Sequence, residues 1–156
     1  MKRLLTVTAM ILIAWGDGGL VLAQSNPFVG TWKLNPAQSK FTPGPAPKSQ
    51  TRTWAADGKV SVEGVNAAGT PVTYGYTVKA DGKDYDTTGA VPLSADTISS
   101  RRVDANTIEA AFSKGGKLTD TTRFMVSSDG RILTIMAKGT LPDGKALDDR
   151  LVYEKQ

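Results

Sequence analysis

The sequence of 156 residues contains no cysteine and no histidine. Without cysteine there is no disulfide, so an exported form of the chain must be held together by its core and its sheet alone. Without histidine the chain lacks the commonest general base and the commonest transition-metal ligand. These absences exclude Ser-His-Asp and Cys-His catalysis, and they exclude haem, zinc or copper sites that use histidine. We therefore expect no enzyme activity, no metal and no cofactor.

A concentration of charge of one sign is also missing. The chain has 19 basic and 15 acidic residues, a net charge of +4, and they are scattered along its length. The nearest approach to a basic cluster is Arg101-Arg102, and adjacent residues of a strand point to opposite faces. Since nucleic-acid binding usually requires a basic stripe, we expect no nucleic-acid partner.

The first residues have the pattern of a signal peptide. Lys2 and Arg3 precede an apolar run over residues 4–15, which is too short for a comfortable membrane span, and Ala23 supplies a small residue for cleavage. We predict a signal peptide over residues 1–23 and one domain over residues 24–156. The chain is then exported to the periplasm or the medium, with no stable membrane insertion after cleavage. An uncleaved N-terminal anchor is the alternative.

The rest of the chain is a succession of short segments in which apolar and polar residues alternate. In residues 72–78, Val-Thr-Tyr-Gly-Tyr-Thr-Val, the Val and Tyr side chains fall on one face, as in a strand with one buried side. Asp-Gly and Gly-rich turns separate such segments at intervals of about eight to twelve residues, which is typical of sandwiches and barrels. We predict an all-β fold, a single antiparallel up-and-down β-barrel of about nine or ten strands with no long helix. A two-sheet sandwich is the alternative.

The predicted strands cover residues 26–34, 48–56, 59–65, 72–79, 83–87, 96–103, 107–113, 118–127, 131–138 and 146–155. Between the first two, the Pro-rich segment 42–47 cannot join a central strand, and we expect it to cross one end of the barrel. Residues 88–95 are predicted to be irregular.

Residues near both ends of the predicted barrel carry a family resemblance. Gly30-Thr31-Trp32, near the start of a β-meander, resembles the Gly-x-Trp signature of the lipocalin and fatty-acid-binding (calycin) barrels. Val152-Tyr153-Glu154-Lys155 is similar to the closing strand of fatty-acid-binding proteins. The chain most resembles the small secreted lipocalin-like proteins of bacteria. This resemblance implies a β-barrel that binds a small hydrophobic ligand.

Two features of the fatty-acid-binding proteins are missing from the sequence. Those proteins insert two helices after the first strand, whereas only residues 35–47 are available here. Their carboxylate clamp uses an Arg two residues before a Tyr on the last strand, but here Arg150 lies three residues before Tyr153 and Leu151 takes that position. Because alternate residues share a face, Arg150 and Tyr153 point to opposite sides and this clamp is broken.

Alternation assigns one face of each strand to the barrel interior. The interior set is Phe28, Trp32, Leu34, Val60, Val62, Val72, Tyr74, Tyr76, Val78, Ile98, Ile108, Ala110, Phe112, Leu118, Phe124, Val126, Leu133, Ile135, Leu151 and Tyr153. Arg102 shares a face with Ile98 and Ser100, so we expect it either to point inward, where it would need an anion, or to reach water at the mouth. The predicted ligand-binding residues are Tyr74, Tyr76, Arg102, Phe112, Phe124 and Tyr153.

The sequence leaves the use of the interior open. If a cavity remains, the chain is a binding module for one apolar or amphipathic small molecule. If side chains fill it, the chain is an envelope-associated module that contacts an unidentified protein partner through residues 43–47 or an edge strand. An enzyme without histidine would instead need paired carboxylates such as Asp84 and Asp86. An interior volume of several hundred cubic ångströms would favour the first hypothesis over the second.

Overall fold

The computed structural model describes residues 26–156, so the predicted signal peptide lies outside the described residues. This part of the chain forms eleven strands and two three-residue 3₁₀ turns, Pro36–Gln38 and Pro92–Ser94. The strands are β1 Gly30–Leu34, β2 Ser49–Trp54, β3 Lys59–Val65, β4 Pro71–Thr77, β5 Asp81–Asp86, β6 Thr88–Gly89, β7 Thr97–Asp104, β8 Thr107–Lys114, β9 Lys117–Val126, β10 Ile132–Thr140 and β11 Ala146–Lys155. No helix among residues 26–156 has the length and hydropathy needed to cross a membrane.

All eleven strands belong to one antiparallel sheet in the order β5-β7-β8-β9-β10-β11-β1-β2-β3-β4-β6. Most neighbours in this order are consecutive in the sequence, as in an up-and-down meander. β1 pairs with both β2 and β11, which joins the two ends of the domain. The sheet edges β5 and β6 are separated in sequence only by Thr87, and the sheet forms a nearly closed barrel. The all-β barrel predicted from alternation is confirmed, in preference to a sandwich.

Two differences from the predicted strand bounds have local causes. The first strand begins at Gly30, not at residue 26, because the preceding residues form a turn. In that turn the Val29 amide donates to the Asn26 carbonyl at 3.1 Å, and the Phe28 amide donates to the Asn26 side chain at 3.3 Å. The segment 88–95 was expected to be irregular but contains the two-residue strand β6, which pairs with β4 at the barrel seam.

The residues assigned to the interior by alternation are buried, with three exceptions. Val72 and Leu151 are half-buried, and Leu118 is 62% exposed. The prediction for Leu118 was wrong because the β8–β9 ladder shifts register there. Asp120 pairs with Phe112, whereas Leu118 pairs with Ser113. The bulge between these two pairs leaves Leu118 in solvent. Asp120 is therefore the first residue of β9 whose side chain is buried on the inner face.

Aromatic side chains close one end of the barrel, which we call the floor. Trp32 is fully buried and its Nε1–H donates to the Phe28 carbonyl at 2.8 Å. The centres of the Phe28 and Trp54 rings are 4.9 Å apart, and the Lys155 ammonium nitrogen lies 5.0 Å from the centre of the Trp32 ring. The opposite end, the mouth, is formed by residues 41–47, the 3₁₀ turn Pro92–Ser94 and the β10–β11 turn at 141–145.

Candidate functional site

The barrel contains a partly open cavity of about 340 Å³ between the mouth and the aromatic floor. Small inward side chains such as Ala137 leave this space open. Its apolar lining includes Phe41, Pro47, Phe112, Phe124, Ile135 and Leu151. Its polar lining includes Gln50, Arg52, Tyr74, Tyr76, Asp120 and Asp149. A concave, mainly apolar space with a few converging polar groups is the usual form of a small-molecule site, and this volume lies at the small end of the range.

Strand β2 brings the central polar group of the cavity into the interior. Its residues alternate between exposed and buried, so Gln50, Arg52 and Trp54 all point inward. Trp54 is 1% exposed and fixes this face of β2 on the aromatic floor. The same alternation therefore buries Arg52, of which 4% is exposed.

The Arg52 guanidinium is held by phenol groups. Its Nη1 donates to the Tyr76 hydroxyl, and its Nη2 donates to the Tyr153 hydroxyl at 3.4 Å. The guanidinium carbon also lies 5.7 Å from the centre of the Tyr76 ring and 5.3 Å from that of Tyr153. These contacts orient the guanidinium and supply partial negative charge, but they provide no formal counter-charge.

Gln50 extends the same network from Tyr153 to Tyr74. The Tyr153 hydroxyl donates to Gln50 Oε1, and Gln50 Nε2 donates to the Tyr74 hydroxyl at 3.4 Å. The Tyr74 and Tyr76 rings are stacked with their centres 6.3 Å apart. One hydrogen-bonded cluster therefore joins the side chains of β2, β4 and β11 at the base of the cavity.

Arg52 is nevertheless incompletely bonded. Its Nε–H is buried and has no hydrogen-bond acceptor among the described residues. None of the ion pairs found within residues 26–156 includes Arg52. A buried guanidinium without an anionic partner is unusual, because a desolvated charge is costly unless it is paired.

The charge states of this cluster follow from burial. Burial opposes the charge on Arg52, but the phenol groups of Tyr76, Tyr153 and Tyr74 outweigh it, and the pKa of Arg52 lies above its ordinary value. Burial raises the pKa values of Tyr76 and Tyr153, with Arg52 opposing the shift in both cases. Near neutral pH the cluster therefore contains a charged guanidinium and neutral phenols, and it carries a net positive charge.

Two carboxyl groups line the part of the cavity nearer the mouth. Asp120 is 7% exposed and accepts hydrogen bonds from the Thr119 and Thr122 hydroxyls, both at 3.1 Å. Burial raises the pKa of Asp120 despite these bonds. Asp149 accepts from the Thr42 amide at 2.7 Å. Burial and the neighbouring Asp148 raise the pKa of Asp149, and the bond from Thr42 opposes them.

Five of the six predicted ligand-binding residues come together in this region. Tyr74, Tyr76, Phe112 and Phe124 line the cavity, and Tyr153 lies beside it in the Arg52 cluster.

Arg102 is not among them. Its side chain is exposed at the floor, where its Nη1 donates to the Ala105 carbonyl at 2.9 Å and its guanidinium carbon lies 5.8 Å from the centre of the Phe28 ring. The structure therefore places Arg102 outside the barrel interior, and its side chain does not line the cavity.

Sequence reasoning missed Arg52, Gln50 and Asp120 as inward groups. The pattern that would have found Arg52 is its position two residues before Trp54, since a large aromatic residue marks the inner face of its strand. Asp120 shares a face with Phe124 by the same reasoning.

Two wider depressions lie on the outside of the barrel. One, of about 590 Å³, crosses the outer face of β7–β10, where Glu109 pairs with Arg101 and with Arg123. The other, of about 630 Å³, lies at the floor beside Arg102. Asp84 and Asp86, the carboxylate pair considered for catalysis, are exposed on β5. Within residues 26–156, every buried side-chain polar atom in the two outer depressions and at Asp84 and Asp86 has a hydrogen-bond partner. The interior cavity differs, because the Nε–H of Arg52 has none.

Comparisons of the chain with protein-family models, curated proteins and solved structures found no match.

Proposed function

We propose that this chain is an exported binding protein that holds one small apolar or amphipathic molecule inside its barrel. The interior cavity of about 340 Å³ is the observation that carries the proposal, because a barrel that serves only as a scaffold has no need of such a space. Its lining combines aromatic and aliphatic side chains with the buried Arg52 cluster, which suits a ligand with an apolar body and a polar group. Export is proposed from the sequence of residues 1–23.

The proposal includes a calycin-like barrel. Its support is the position of Gly30-Thr31-Trp32, which begins β1 and places Trp32 at the floor. The barrel is also closed by pairing between its first and last strands. Ligand binding by this chain does not depend on the last-strand clamp of fatty-acid-binding proteins, because the buried arginine comes from β2.

Native mass spectrometry of the mature protein purified from its own host tests the proposal directly. We expect a stoichiometric small molecule on the folded protein that is released by denaturing extraction. A neutral environment-sensitive dye, Nile red, should also gain fluorescence on binding to ligand-free protein. An apo mass together with no dye uptake would contradict the proposal and would favour a barrel that acts through its surface.

A matched pair of variants locates the binding. Ala137 on β10 lines the cavity, whereas Ala111 on β8 lies on the outer face of the barrel. Ala137→Phe should fill part of the cavity and abolish Nile red uptake, and Ala111→Phe should leave it unchanged. Equal loss in both variants would indicate that the dye binds elsewhere or that the fold is disturbed, and circular dichroism of each variant separates these two causes.

A further inference from the structure

We propose that Arg52 and the phenols around it recognise the carboxylate of an amphipathic ligand whose apolar part fills the cavity toward the mouth. This inference rests on the proposed function, since it specifies the ligand of the same cavity. It is carried by three properties of the Arg52 cluster: its unpaired charge, its excess of hydrogen-bond donors and its position below two carboxyl groups.

The unpaired charge requires an anion. No carboxylate oxygen among residues 26–156 lies within 4.0 Å of the Arg52 guanidinium, although the side chain is almost fully buried. The neighbouring phenols are neutral and cannot cancel the charge. A water molecule could accept a hydrogen bond from Nε–H, but it too would leave the charge in place. An anionic ligand group would compensate it.

Hydrogen-bond donors also outnumber acceptors in the cluster. Gln50 Oε1 already accepts from Tyr153, and the hydroxyls of Tyr74 and Tyr76 act as acceptors toward Gln50 and Arg52. The hydroxyl hydrogens of Tyr74 and Tyr76 and the Nε–H of Arg52 therefore remain to be donated. A carboxylate is planar and offers only acceptors, so it is the complement of a guanidinium edge flanked by phenols.

The other charges in the cavity select a monoanion and its orientation. Arg52 is the single basic residue of the cavity lining within the described chain, so one negative charge balances it. A dianionic group such as a phosphate monoester would leave excess negative charge. Asp120 and Asp149 lie on the mouth side, where they disfavour an anionic group. The carboxylate is therefore expected at the inner end of the ligand.

Three probes with the same ten-carbon chain test this inference on the wild-type mature protein: decanoate, decan-1-ol and the decyltrimethylammonium cation. Affinities are measured at neutral pH by isothermal titration calorimetry and by displacement of Nile red. We expect decanoate to bind at least about 10-fold more tightly than decan-1-ol, as a charge-assisted hydrogen bond to a buried arginine would require, and the cation to bind most weakly. If Nile red and decan-1-ol bind but decanoate gains nothing, the inference fails while the proposed function stands. If no probe binds, both fail.

Arg52→Gln identifies the residue responsible for the preference. Glutamine retains hydrogen-bonding groups toward the phenols but removes the charge, so the affinity for decanoate should fall to that for decan-1-ol, which should itself change little. The matched control is Arg123→Gln, which removes an arginine from the exposed outer face of β9 and should keep the full preference for decanoate. A preference that survives Arg52→Gln in a folded variant would overturn the inference. If this variant does not fold, the wild-type probe series still decides.

Discussion

Arg52 and Trp54 lie two residues apart on β2, and each has a buried N–H group without an acceptor among residues 26–156. The two groups differ in surroundings. Arg52 faces the cavity, where a ligand can reach it. Trp54 lies beneath, with its ring 4.9 Å from that of Phe28 and 5.4 Å from that of Phe124. One unpaired donor therefore lies at the cavity that we propose as the binding site, whereas the other lies in the packed floor.

The contrast between the two floor tryptophans gives a first prediction. Trp32→Phe and Trp54→Phe remove similar volumes from fully buried positions, but only Trp32 loses a hydrogen bond, the 2.8 Å contact with the Phe28 carbonyl. We expect Trp32→Phe to lower the free energy of unfolding by about 1–2 kcal/mol more than Trp54→Phe does, because the latter removes a donor that has no partner. Urea denaturation followed by circular dichroism measures both. Equal losses would mean that the Trp54 N–H is bonded in solution.

The Arg52 cluster should also contribute to stability. Tyr153→Phe removes a buried hydroxyl that accepts from Arg52 and donates to Gln50, so we expect a loss of about 1–3 kcal/mol in the free energy of unfolding. Tyr85→Phe is the control, since its hydroxyl donates to Asp81 at 2.6 Å in an exposed setting, and its loss should stay below about 1 kcal/mol. A smaller effect at Tyr153 than at Tyr85 would argue against the buried network.

The architecture was predictable because its determinants are local. Strands β3 and β11 have the bounds that alternation predicts, because each is a half-buried segment next to a clear turn, which follows β3 and precedes β11. Where a bulge interrupts the alternation, as at Leu118, the same rule fails. Pairing of β1 with β11 closes the barrel, and it was expected only through the family resemblance.

The site was less predictable because it depends on contacts that are distant in the sequence. Arg52 meets Tyr76 across 24 residues and Tyr153 across 101 residues, so no short motif contains the cluster. The tyrosines were found because they are large inward residues on clearly alternating strands. Arg102 was chosen by the same alternation, but near the end of β7 it reaches solvent at the floor.

The register shift at Leu118 predicts that this leucine contributes little to stability, in contrast to a buried leucine on the neighbouring strand. Leu118 is 62% exposed, whereas Leu133 on β10 is fully buried. Leu133→Ala should cost about 2–5 kcal/mol in the free energy of unfolding, because it leaves a cavity in the core. Leu118→Ala should change it by less than about 0.5 kcal/mol. A large loss of stability in Leu118→Ala, measured by urea denaturation, would show that this side chain is buried. It would contradict the register shift between β8 and β9.

Asp120 should make stability depend on pH. Its pKa in the folded protein is raised by burial, so the folded state holds the proton more tightly than the unfolded state, whose value is about 3.9. The folded state is then favoured while the carboxyl is protonated, and this advantage is lost as pH rises through the folded pKa. The other ionisable groups lining the cavity are Arg52, Asp149, Tyr74 and Tyr76.

Asp120→Asn tests this dependence, because asparagine keeps an acceptor for the Thr122 hydroxyl and cannot ionise. We expect the variant to be more stable than the wild type at neutral pH, with the difference shrinking as pH falls toward the ordinary aspartate value. Thermal unfolding across this range measures it. Asp84→Asn, on the exposed face of β5, controls for the change in net charge. A difference between Asp120→Asn and wild type that is independent of pH, or that grows as pH falls, would show that burial of the Asp120 carboxylate is not what the folded state disfavours.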